Sequence, residues 1–191
     1  MLRIAILAGL VAATAATAAT SAGEVPIIGS RYARGCFEAA EQRRRAREAL
    51  RICDSALLDQ NLAAGDRAAT LVNRGIVQMQ ARNITAAIAD YDAAIAARPE
   101  TAEAWVNKGI ALLQLGDRDA DAVEAISQGI ARDPSRPEVA YYSRAMAYEQ
   151  LGRAREAYED YSRAAQLAPA WDEPAEQLQR FQVVRGKTAS G

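Results

Sequence analysis

The sequence predicts an all-α protein built as a solenoid, one antiparallel helix hairpin stacked on the next. Three observations carry this expectation. LVNRGI at residues 71–76 returns as WVNKGI at 105–110, starting 34 positions on, and a looser YYSRAM starts 36 positions later at Tyr141. Pro99, Pro134 and Pro169 each follow an apolar-periodic segment, 35 residues apart, where a helix has to stop. Between these marks Ala, Leu, Glu, Gln and Arg dominate and β-branched runs are scarce, which favours helix throughout.

The elements follow in chain order. Residues 1–22 read as a secretory signal peptide: Arg3 supplies an early positive charge, an apolar run extends from Ile4 to about Ala13, and small residues near Ala18 and Ala22 suit cleavage. The apolar part is shorter than the roughly 20 residues a bilayer span needs, so no membrane span is expected after cleavage. A periplasmic or secreted location follows, with bacterial export fitting the short, Ala-rich leader. Residues 23–29 are a linker.

Residues 30–67 lack the proline. They nonetheless place Ala49, Cys53 and Ala56 at the mutual spacing of Ala87, Tyr91 and Ala94, which marks the second helix of a degenerate first hairpin. A single long helix from Cys36 to Leu58 is the competing reading. The two cysteines bear on the choice. On one continuous helix, at about 1.5 Å per residue, they would lie about 25 Å apart, beyond disulfide reach, whereas a hairpin sets them face to face. An oxidising compartment and just two cysteines, Cys36 and Cys53, predict that they pair.

Residues 68–101, 102–137 and 138–171 are three further hairpins. In the first, AATLVNRGIVQMQ and TAAIADYDAAIAARP each carry apolar or small residues three to four apart, the pattern of amphipathic helices, around a turn at Ala81-Arg82-Asn83. The second turns at Gly116-Asp117 with one extra residue within 118–121, and the third at Gly152-Arg153. Residues 172–185 are expected to form one capping helix with Leu178, Phe181 and Val184 on one face, since the last unit of an array would otherwise expose its stacking surface. Residues 186–191 are expected to form a disordered tail.

On these residues the chain resembles the tetratricopeptide repeat (TPR) family, whose unit is a 34-residue helix-turn-helix. The pattern asks for a bulky residue early in the first helix (Leu71, Trp105, Tyr141) and a small one at the close contact (Gly75, Gly109, Ala145). In the second helix it asks for small, large, small: Ala87, Tyr91 and Ala94, then Ala122, Ile126 and Gly129, then Ala157, Tyr161 and Ala164. Gly129 and the extra turn residue are departures expected to weaken the middle unit.

The resemblance implies a TPR superhelix whose concave face, lined by the first helices, binds a peptide or protein segment. Helical spacing with the resemblance puts Val72, Ile76, Met79, Val106, Ile110, Leu113, Tyr142 and Met146 in that groove, with Asn73 and Asn107 gripping a ligand backbone. Arg74, Lys108 and Arg144 recur at one slot and form a basic edge beside it. The competing role for these side chains is packing between successive first helices. The groove's occupant is a protein or peptide partner, with residues 23–35 or a second copy as self-association alternatives. A structural subunit of an envelope assembly, working through the convex face, is the alternative function.

Composition limits the rest. There are 23 basic and 24 acidic side chains and no histidine. Without imidazole, the usual triads, most zinc sites and most proton shuttles cannot be built, so no enzyme activity, metal or cofactor is expected. A net charge of −1 with mixed charges predicts no basic stripe of the kind that nucleic acid demands, so nucleic acid is not expected as a partner. Asp90 and Asp92 read as solvated helix surface.

Overall fold

The computed structural model describes residues 2–6, 31–42 and 45–185. The expected leader beyond Ile6, the linker 23–29 and the tail 186–191 lie outside the described residues. Helices α1 (Arg31–Glu41) and α2 (Ala46–Leu57) form the first hairpin, joined by the Cys36–Cys53 disulfide across a Cα–Cα distance of 4.7 Å. They are separate helices, not one rod. Three hairpins follow: α3 (Ala64–Gln80) with α4 (Ile84–Ala97), α5 (Ala102–Leu115) with α6 (Asp119–Ile130), and α7 (Pro137–Gln150) with α8 (Ala154–Leu167). Each second helix packs on the first helix of the next hairpin, while α1, α3, α5 and α7 touch in succession as a row. This is the all-helical solenoid that the period predicts.

Within a hairpin, backbone proximity sets the residue types. A Cβ on Gly75 would lie 2.4 Å from the Tyr91 ring, and one on Gly109 would lie 2.4 Å from Ile126 Cγ1, so hydrogen is all that fits. Gly129, expected as a weakening departure, proves to be a fitted position. A Cβ there would meet Val106 Cγ2 at 2.3 Å and, less forgivingly, the Val106 backbone nitrogen at 3.0 Å. The middle hairpin has glycine where the other two have alanine, and the approach of α5 to α6 leaves no room there for a Cβ.

The turns use left-handed residues. Gly116 (φ 84°) ends α5 and Gly152 (φ 69°) follows α7, whereas the α3–α4 turn places Arg82 at φ 63°. The strand-like end of the chain departs from expectation. The capping helix expected over 172–185 stops early: α9 covers only Asp172–Leu178, and Phe181–Arg185 form strand β2, antiparallel to β1 (Leu2–Ile6) with Val183 opposite Ile4. Phe181, Val183 and Val184 give this stretch an aromatic and β-branched character that suits a pleated strand better than a last helical turn. Phe181 still buries itself, packing on the Tyr158 and Tyr161 rings at 5.9 and 6.0 Å between centroids. The last hairpin is therefore covered by a short helix and a strand.

Candidate functional site

The row of first helices is where the sequence places the groove, and most of its expected lining is inside the protein. Val72, Asn73, Ile76, Val106, Asn107 and Ile110 are buried, none more than 7% exposed. The reason lies in the small residues facing them. Val72 and Ile76 join a core with Ala39, Ala40, Ala104 and Ala111, and Val106 and Ile110 join one with Val139 and Ala140. These alanines let successive first helices approach until the positions that would face an open groove face the neighbouring helix instead. The apolar stripe is in these two hairpins a packing seam.

The basic edge is likewise internal in its chemistry. Arg74 donates from Nε to Asp90 at 3.0 and 3.2 Å and from Nη2 at 2.5 Å, and its Nη1 reaches Asp54 at 2.8 Å. Arg144 repeats the arrangement on Asp160, with Nε and Nη2 at 2.7 and 2.9 Å, and adds Ser127 Oγ at 3.0 Å. Lys108 pairs with Asp92 of the preceding hairpin at 2.6 Å. Asp90 is buried, which corrects its reading as solvated surface. Burial pushes its carboxyl above the usual value against the pull of Arg74, while hydrogen bonding to Asp90 holds the Arg74 guanidinium above its own. A signal for this was present in the sequence: Arg74 and Asp90, like Arg144 and Asp160, stand 16 residues apart at equivalent places in two repeats.

Four of the expected groove residues keep access to solvent. Met79, Leu113 and Tyr142 are half-buried, and Met146 is 38% exposed. Leu113 and Met146 line an open cleft of about 190 Å³ with Gly116, Asp119 and Gln150, three residues that sequence reasoning missed. The cleft forms because α5 ends on the left-handed Gly116, whose lack of a side chain leaves the space before α6 unfilled. It is smaller than the ~300 Å³ at which small-molecule sites begin, so it suits one or two side chains of a larger partner. Methionine flanking an apolar cleft gives an adaptable surface, since its unbranched thioether repacks readily. Tyr142 is set apart from this cleft: it packs at a tilt against Trp171 and edge-on against Tyr161, centroids 4.8 and 5.3 Å away, and belongs to the C-terminal aromatic cluster.

A second open cleft, about 220 Å³, lies between α5 and α6 and is lined by Trp105, Lys108, Leu112, Arg118, Asp121, Glu124 and Ala125. Its charged groups are partly committed to one another, as in the Arg118–Asp121 pair at 2.6 Å. Among the described residues no three His, Cys, Asp or Glu side chains are grouped as metal ligands, and no helix is long and apolar enough to cross a membrane.

Comparison with known proteins agrees with this architecture. Tetratricopeptide repeat models match residues 72–137 and 139–171, together just over half of the chain. No curated protein matches it in sequence. Among solved structures, a crystal structure of MamA is 19% identical, with 80% of this chain and 82% of that one covered and a TM-score of 0.64. PilW, described as a widely conserved type IV pilus biogenesis factor, is 20% identical over 77% of this chain and 65% of its own, also at 0.64. The first TPR of Spaghetti (RPAP3), bound to the HSP90 peptide SRMEEVD, is 25% identical over 61% of this chain and 93% of its own, with a TM-score of 0.57. The repeated hairpins, their small contact residues and these matches show that the chain belongs to the tetratricopeptide repeat family of protein–protein interaction modules.

Proposed function

We propose that this protein is an exported, non-enzymatic adaptor that holds an apolar segment of a partner protein along the C-terminal ends of α5 and α7. The observation that carries the reading is the cleft where Leu113 and Met146, apolar and accessible, stand beside the polar rim of Asp119 and Gln150. Met79, half-buried and packed against the same core as Leu113, extends that surface toward α3. The RPAP3 structure supports the choice of a peptide-like ligand, because it is a related repeat with a peptide bound. The ligand chemistry differs, however. With Arg74, Lys108 and Arg144 engaged in ion pairs, this surface has no free row of cations for an acidic tail, and apolar contact is the main attraction. Export is supported by the leader-like composition of the first 22 residues, whose removal would take β1 from its pairing with β2, and by the disulfide, a bond that persists in oxidising compartments.

The test is capture from a cell-envelope extract with the chain lacking residues 1–22, compared with its Leu113→Glu/Met146→Glu form. Loss of a specific partner with unchanged melting supports the cleft. Capture that survives both charges places binding elsewhere, on the convex face or the C-terminal end. Ile110→Glu is unsuitable for this purpose, because Ile110 is buried and the change would unfold the hairpin.

A further inference from the structure

The near-zero net charge conceals a segregation. Residues 31–57, from the start of α1 to the end of α2, carry seven arginines against four acidic side chains, a local balance of +3, whereas residues 58–171 carry 12 basic and 16 acidic side chains. The first hairpin is basic and the body is acidic. The two also differ in how their cations are used. In the body, Arg74, Lys108, Arg118, Arg136, Arg144, Arg153 and Arg155 stand in ion pairs, while among the described residues the exposed Arg82 and Arg98, in separate connections, do not and form no cluster. On α2, by contrast, Arg47 and Arg51, with Arg45 just before the helix, are exposed and pair with no carboxylate among the described residues. Helical spacing puts Arg47 and Arg51 on one stripe, directly opposite the buried Ala49, Cys53 and Ala56. The disulfide through Cys53 fixes the orientation of the helix, so Arg47 and Arg51 project from the face turned away from the solenoid.

We infer that the outer face of α2, through Arg45, Arg47 and Arg51, docks the protein on an anionic phospholipid surface. Guanidinium groups bind phosphate bidentately and retain their charge in any physiological medium. Basic side chains held at a surface gain attraction from anionic lipid roughly additively. The exposed Tyr32, at 58%, flanked by Arg31 and Arg34 on the companion helix, supplies an aromatic of the kind that settles at headgroup level. The choice of membrane over nucleic acid rests on the export reading above, since an exported chain meets lipid phosphate rather than polynucleotide. Docking by this face would leave the Leu113–Met146 cleft, formed by the third and fourth hairpins, free for a partner.

The test is co-sedimentation of the chain lacking residues 1–22 with vesicles containing phosphatidylglycerol, alongside vesicles of phosphatidylcholine alone. Binding is expected to the first only and to fall as salt is raised. Arg45→Gln/Arg47→Gln/Arg51→Gln should weaken it by on the order of a hundredfold, from about fivefold per arginine, with melting unchanged because all three are exposed. Arg153→Gln/Arg155→Gln, removing exposed cations from the body, should leave it intact, as should Leu113→Glu/Met146→Glu, which separates this inference from the cleft. Equal binding to uncharged vesicles, retention by the triple variant, or preference for single-stranded RNA over anionic vesicles would each overturn it.

Discussion

Removing Asp160 is the sharpest test of why Arg74 and Arg144 recur. Asp160 is buried and takes both Nε and Nη2 of Arg144, whose side chain is itself 18% exposed. In Asp160→Ala, Arg144 keeps only the Ser127 hydroxyl and the faces of Tyr141 and Tyr148, at 5.5 and 5.7 Å from their centroids. Breaking a buried pair from one side costs about 3–5 kcal/mol, and partial solvent access with the two rings brings this site to the lower end, about 3 kcal/mol. Asp90→Ala removes the equivalent carboxylate from Arg74 but leaves Asp54 at 2.8 Å. That surviving partner is more than half exposed and recovers only ~1 kcal/mol, so the expected loss is about 2 kcal/mol. Urea unfolding followed by circular dichroism would measure both, with an unchanged m-value showing that the same transition is compared. A loss below ~1 kcal/mol for Asp160→Ala would refute the claim that these arginines are structural, and a larger loss for Asp90→Ala than for Asp160→Ala would refute the compensation by Asp54. A second arm is Arg144→Met/Asp160→Leu, which should cost less than Asp160→Ala alone because no buried charge is left behind.

Other outcomes follow from the same contacts. Gly129→Ala should destabilise by up to about 2 kcal/mol, since overpacking against the Val106 backbone costs about 1–3 kcal/mol and the helix-propensity gain returns ~1 kcal/mol; thermal melting with a rise in stability would be incompatible with the close approach of α5 and α6. Arg82→Gly should stabilise by ~0.5–1 kcal/mol by relieving a left-handed arginine, measurable in the same melts. Reducing Cys36–Cys53, which closes a loop of sequence separation 17, should cost about 3 kcal/mol and make residues 31–60 the first site of limited proteolysis. Alkaline titration should destabilise the fold: burial raises the phenols of Tyr91, Tyr142 and Tyr161. The folded state therefore holds protons that the unfolded chain releases above about pH 10, and stability present below that pH is lost as pH climbs past it. Melting temperature against pH, with phenolate absorbance appearing together with unfolding, would check this.

The parts of the molecule that were legible in the sequence are those fixed by local geometry. A helix must end at Pro99, Pro134 and Pro169 whatever surrounds it, and the Gly75–Tyr91 and Gly109–Ile126 contacts follow from small and large residues at fixed places in a hairpin. The groove was less legible because a helical period says which side chains share a face, not what covers that face. Val72 and Met79 stand seven residues apart on one stripe, yet the first is sealed by the neighbouring helix row and the second reaches the surface. The same limit applies to charge. The arginine at one slot could have faced solvent or a carboxylate, and only the approach of α4 and α8 brought Asp90 and Asp160 to it.

The sequence alone determined the repeat, the hairpin polarity, the pairing partner for each cysteine and the absence of imidazole chemistry. Those properties depend on residue type and spacing along a single chain. Tertiary structure decided which face remained open, that the basic row is spent in ion pairs, and that the last turn of the expected cap became a strand. Those outcomes depend on how closely separate helices approach, and alanine and glycine at the contacts set that distance through the sizes of both partners at once.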